Sequence, residues 1–145
     1  MCIAVTMLCI FRSIKLPSGL VLNYPGVNCD KISDFFPSQL YSVDDPLLKP
    51  SFMKFILDSI FQDGVDPSEN MLYKPIIATD EILSRFPKVS CLIASADPLR
   101  DSNLEFMMHV KRSGVETKIY MFEDFIHGFN NMENKQGVEE FKKGT

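Results

Sequence analysis

The segment Val89 to Asp101, Val-Ser-Cys-Leu-Ile-Ala-Ser-Ala-Asp-Pro-Leu-Arg-Asp, constrains the fold more than any other stretch of the chain. A largely apolar run closing on small residues, here Val89 to Ala96 with Ser90 and Ser95 within it, reads as a strand buried on both faces, the pattern of a parallel sheet covered by helices. Asp97-Pro98 stops the run and puts a carboxylate on the loop at the strand's carboxyl end. That edge is where open α/β sheets hold their ligands. Thr117 to Phe122 reads as a second strand, followed by Phe125-Ile-His-Gly-Phe129, in which Gly128 lets the backbone turn tightly beside His127. Between the strands, Ser102-Asn-Leu-Glu105 has the form of a capping box opening a helix, with Leu104, Met107, Met108 and Lys111 at helical spacing and Gly114 as its stop. Strand, helix and strand in this compass predict a right-handed crossover between parallel neighbours. An acid and an imidazole would then share one sheet edge. An aspartate that accepts a hydrogen bond from one ring nitrogen fixes the tautomer and leaves the other nitrogen free to act as a base.

The 145 residues suffice for one domain. With 46% hydrophobic and 23% charged residues there is apolar material for a real core in a soluble, globular chain. A net charge of −4 and a pI near 5.1 argue against nucleic acid or an anionic membrane surface as partner, because phosphate binding needs clustered Lys and Arg. The cysteines at 2, 9, 29 and 91 form no CxxC pair and have no histidine at zinc spacing. They read as free thiols of a reducing compartment, so a cytoplasmic location is expected, with no metal and no cofactor. Met1 to Phe11 is nearly all apolar but has no positive leader and no small-residue cleavage site, and it is too short to span a bilayer.

That first segment therefore reads as a helix to be buried between layers, one that starts with no cap. A Pro/Gly turn at Lys15-Leu-Pro-Ser-Gly19 ends it, and Leu20 to Tyr24 follows as a short strand halted by Pro25-Gly26. The region 27–75 reads as an excursion of the kind that forms a lid or pocket wall, and Val27 to Pro50 within it as loop. Inside it, Ser51 is the expected cap of a helix whose Phe52, Met53, Phe55, Ile56, Ile60 and Phe61 make a broad apolar face, ended by Gly64. That face either packs on the core or lines an acyl pocket. Thr79 to Phe86 reads as a short capped helix ended by Pro87, and Val138 to Lys143 as a final helix.

Asp97 and His127, thirty positions apart, are the candidate pair, although spacing proves no contact and Asp97 also suits a turn before proline. Asp101 is the rival acid, but next to the Ser102 cap a carboxylate serves the helix dipole. Asp124 reads as solvated and His109 as a helical surface residue. Ser95 sits in no strained elbow, and the chain contains no G-x-S-x-G, P-loop, Rossmann glycine pattern or H-E-x-x-H.

These residues carry a resemblance. Asp97-Pro-Leu-Arg-Asp101, then a helix, a strand and Ile126-His-Gly-Phe129, resembles the acid and histidine motifs of the hormone-sensitive lipase family of α/β-hydrolases in order and separation. Leu16 to Pro25 is similar to the strand after that family's nucleophile helix, and Phe36-Pro-Ser-Gln-Leu40 with Asp45-Pro-Leu-Leu48 also resembles it. The resemblance implies a partial α/β-hydrolase fold, with about three parallel strands flanked by helices, over residues 1–145 as the carboxyl-terminal part of a single domain. It implies a carboxylic ester hydrolase acting on acyl esters or lipids, in which Asp97 orients His127 and His127 activates a serine. The family's G-D-S-A-G nucleophile turn and H-G-G-G loop match no residues of this chain, so the chain alone is expected to be inactive. Without the strands that carry them, a sheet edge and the first helix should be exposed and favour self-association. A non-catalytic remnant, or a small binding domain with a structural Asp and His, is the alternative.

Overall fold

The computed structural model describes residues 1–28, 36–61 and 67–131; Cys29, Gly64 and the helix expected over 138–143 lie outside the described residues. The order is α1 (Cys2–Phe11), β1 (Gly19–Asn23), α2 (Pro37–Tyr41), α3 (Pro50–Ile60), a 3-10 turn (Pro75–Ile77), α4 (Asp80–Leu83), β2 (Lys88–Ala94), α5 (Arg100–Arg112), β3 (Thr117–Phe122) and a second 3-10 turn (Phe129–Asn131). The three strands form one parallel sheet in the order β1-β2-β3. Leu22 pairs with Cys91 and Ala94 with Phe122, so all three strands end at the same edge. The α/β class and the three-strand parallel sheet expected from the sequence are both present.

β2 is central, which explains its composition. Val89, Cys91 and Ile93 pack into a cluster with Ile3, Met7 and Ile10 of α1 and Phe106, Met107 and Val110 of α5, whereas Leu92 and Ala94 join Phe122 and Phe129 in a second cluster. A strand sandwiched in this way has no polar face to offer, and the apolar run is the result. Burying a side chain such as Phe106, Leu92 or Ile93 stabilises the domain by about 1.5–3 kcal/mol each.

Several boundaries differ from the sequence reading. α5 begins two residues before Ser102, and no capping box forms: Ser102 Oγ donates back to the Leu99 carbonyl at 2.9 Å. Asp97 has already organised the first turn, its Oδ1 accepting the Leu99 N–H at 2.8 Å and its carbonyl the Arg100 N–H at 3.0 Å. Ser51 does not cap α3, because Pro50 at the first helical position, with its preset φ and no N–H to satisfy, starts the helix two residues earlier than a Ser51 cap would. Within the stretch read as loop, Pro37 likewise opens the five-residue α2, too short to display a period. Thr79 makes no side-chain cap bond to α4. α1 buries one stripe, Ile3, Thr6, Met7 and Ile10, while Val5 and Phe11 remain exposed. Among the described residues β1 pairs with β2 alone, and Val21 on it is 68% exposed. Among the described residues no helix is long and apolar enough to cross a membrane.

Candidate active site

Two loops meet where the strands end. After β2 the Ser95 N–H donates to the Phe122 carbonyl at 2.9 Å and the Ala96 N–H to the Phe125 carbonyl at 3.0 Å, stitching the aspartate loop to the histidine loop. Ser95 Oγ accepts the Asp124 N–H at 2.8 Å, which holds Asp124 at φ +62, a conformation aspartate tolerates better than most residues. Ser95 is thus occupied as a brace between the loops. Gly128 follows His127 at φ +77, and a Cβ there would stand 3.5 Å from Leu47 Cδ1, an ordinary contact. The backbone conformation, rather than lack of space, is what calls for glycine.

The stitching brings Asp97 and His127 together. Asp97 is fully buried, and its Oδ2 lies 2.8 Å from His127 Nδ1. A carboxylate oxygen has only lone pairs to offer, so Nδ1 carries the hydrogen and donates it. Nε2 is then the basic nitrogen of the neutral ring. It has no hydrogen-bond partner among the described residues, and the His127 side chain is 23% exposed. Asp97 serves two ends at once: Oδ1 makes the turn onto α5 and Oδ2 holds the imidazole. The turn role and the site role are one arrangement.

Asp101 is not a competitor for the imidazole. Its Oδ1 accepts from Arg100 Nε at 2.7 Å and its Oδ2 from the Ser38 N–H at 2.8 Å. Burial opposes its charge, but the bonds from Arg100 and Ser38 outweigh burial and hold the carboxyl below the usual aspartate range. Arg100 Nη1 also donates to the Ser95 carbonyl at 2.9 Å, Ser38 Oγ to the Pro98 carbonyl at 2.8 Å and Ser42 Oγ to the Ala96 carbonyl at 3.1 Å. α2 is therefore fastened to the loop that carries Asp97. Ser38 and Ser42 have no signal in the sequence, because partners more than fifty positions away leave no local pattern.

Tyr24, also missed, closes the site from β1. Its ring meets the imidazole at a centroid distance of 4.7 Å, and its backbone has φ +36. Positive φ is unusual for a bulky residue and more so before proline, and such strain is of order 1–3 kcal/mol. The only local signal was an aromatic residue before Pro25-Gly26 at a strand's carboxyl end. Burial, and then the charge of Asp97, push the Tyr24 hydroxyl above its ordinary pKa. The same two causes push the Cys91 thiol up to about 12, so this buried cysteine is no nucleophile.

A second Ser/His/Asp grouping lies toward the other end of α5. His109 Nε2 is 2.8 Å from Asp80 Oδ1, and Ser113 Oγ donates to that same oxygen at 3.0 Å. The Ser113 and His109 bonds, in that order, lower the Asp80 pKa. Serine and imidazole both end on one carboxylate oxygen instead of on each other, so nothing there activates the hydroxyl. A cleft of about 300 Å³ lined by Ile76, Asp80, Glu105, His109 and Arg112 sits at this grouping, away from His127. An exposed carboxylate bound to a surface imidazole is an ordinary helix-to-helix tie.

Residues 1–131 match the family model described as alpha/beta hydrolase fold. An esterase of Gibberella moniliformis (strain M3125 / FGSC 7600) is 27% identical over 95 residues, 65% of this chain and 30% of that protein. Neutral cholesterol ester hydrolase 1 of Bos taurus is 37% identical over 54 residues, 37% of this chain and 13% of that protein. Among solved structures, carboxyl esterase 2 of the mycorrhizal fungus Tuber melanosporum superposes with a TM-score of 0.85 at 25% identity, over 96% of this chain and 45% of that one. The Pyrobaculum calidifontis esterase superposes with a TM-score of 0.84 at 23% identity, over 97% of this chain and 45% of that one, which speaks for the fold alone. The chain thus spans less than half the length of these relatives. With a matching family model over nearly all of its residues, this chain belongs to the alpha/beta hydrolase fold family, in its hormone-sensitive lipase branch.

Proposed function

We propose that Asp97 and His127 are the acid and the general base of a carboxylic ester hydrolase. Asp97 orients the ring and supports the imidazolium that forms; His127 Nε2 takes the proton from a serine hydroxyl and later returns it to the leaving alcohol. The observation that carries the reading is the 2.8 Å contact between Nδ1 and a fully buried carboxylate, with Nε2 left unpaired among the described residues. The similar proteins, an esterase and neutral cholesterol ester hydrolase 1, support acyl or lipid esters as the substrate class.

No G-x-S-x-G occurs in these 145 residues, and no hydroxyl bonds to the imidazole among the described ones. Nor does the chain supply the family's H-G-G-G donors, and loss of one such donor costs about 3–4 kcal/mol of transition-state support. Alone, the chain is expected to give no turnover of a short-chain p-nitrophenyl ester. A cytoplasmic location and self-association through the open β1 edge belong to the same proposal.

The test joins this chain to the nucleophile-bearing part of the Tuber melanosporum esterase, as a fusion, and follows p-nitrophenyl ester hydrolysis. Turnover should appear, depend on the donated serine and fall by about 10⁴-fold or more in His127→Ala and Asp97→Asn. Serine-dependent turnover that survives His127→Ala would remove His127 from the mechanism.

A further inference from the structure

We propose that Tyr24 is a positioning residue for His127: Asp97 fixes the Nδ1 edge of the imidazole, and the Tyr24 ring fixes its plane. The inference rests on the reading of His127 as base. A single hydrogen bond leaves a ring free to swing about the Nδ1···Oδ2 line, so Asp97 alone does not determine where Nε2 points. The second constraint comes from Tyr24, whose ring stands edge-to-face against the imidazole at 4.7 Å with an interplanar angle of 60°.

Tyr24 is itself held from both sides. Its ring meets Phe129 at 5.9 Å and 63°, and its hydroxyl accepts from Asn131 Nδ2 at 3.3 Å, both partners lying just beyond His127 on the same loop. Its N–H donates to the Leu92 carbonyl at 2.9 Å, which ties it to β2, the strand that also delivers Asp97. Both restraints on the imidazole therefore trace back to one strand. The φ of +36 is retained although the ring and Pro25 each disfavour it, and backbone strain of this kind persists only where surrounding contacts over-determine it.

Nuclear magnetic resonance of the chain labelled with ¹⁵N-histidine tests this without any catalysis. The chain has two histidines, so His109, bound to Asp80, is an internal control. His127 should give a low-field Nδ1–H signal, which Tyr24→Phe preserves. Tyr24→Leu and Tyr24→Met should speed its exchange with water about tenfold, with His109 and the sheet amides unmoved. An unchanged His127 signal in the aliphatic variants overturns the proposal, as does Tyr24→Phe matching them in damage. Collapse of the sheet amides in both aliphatic variants would also overturn it, making Tyr24 a residue of general stability. Absence of the low-field proton in the unmodified chain would sink the base assignment, and this proposal with it.

Discussion

Ser38 and Asp101 hold each other across sixty-three positions: the Ser38 N–H donates to Asp101 Oδ2 at 2.8 Å and the Asp101 N–H to Ser38 Oγ at 3.3 Å. The reciprocal pair fastens α2 to the first turn of α5, one turn from Asp97. Ser38→Ala removes the hydroxyl that also satisfies the buried Pro98 carbonyl. Its expected cost is about 1–3 kcal/mol, read as a lowered urea midpoint at unchanged slope. A midpoint equal to that of the unmodified chain would show that α2 is not fastened in solution.

The same carboxyl predicts an acid response. Asp101 has a folded pKa below its unfolded value, so the stability it contributes is fully present above about pH 4 and is lost as pH falls through the folded pKa. Asp101→Asn should be less stable than the unmodified chain at pH 6, with the gap narrowing toward pH 3. Urea unfolding at both pH values checks this, and a constant gap would contradict it.

Gly128→Ala should destabilise the chain by about 1–2 kcal/mol, because φ +77 is a left-handed conformation. Relief by Leu47→Ala in the double variant is not expected, since the added methyl would meet Leu47 at an ordinary 3.5 Å. Calorimetry of the two variants separates the causes; recovery in the double variant would make the effect steric.

Cys91 should resist thiol reagents. With its pKa near 12 and no exposed surface it carries almost no thiolate at pH 8, whereas Cys2 is exposed. Mass mapping after alkylation of the folded chain should find Cys2 modified and Cys91 intact until denaturant is added. Equal rates at the two sites would mean that β2 opens readily.

Val21→Lys on the open edge of β1 should reduce self-association, measured by light scattering across a concentration series, while changing stability by less than about 0.5 kcal/mol. Association unaffected by the lysine would place the contact elsewhere.

The amino-acid order by itself determines the α/β class, the three strands to within about two residues, and the edge to which Asp97 and His127 belong. Those features follow from period and punctuation: a strand buried on both faces must be apolar throughout, and Asp-Pro and His-Gly mark where it and its neighbour stop. The precise starts of α3 and α5 were not legible, because Pro50 and Asp97 organise those first turns while the serines that look like caps are engaged otherwise or not at all. Only tertiary structure decided that Oδ1 of Asp97 serves the turn and Oδ2 the imidazole, that Asp101 is spent on Ser38 and Arg100, and that Tyr24 lies against His127. Each of those depends on parallel strands ending in register and on loops far apart in sequence being hydrogen-bonded side by side, and no window of neighbouring residues contains such a relation.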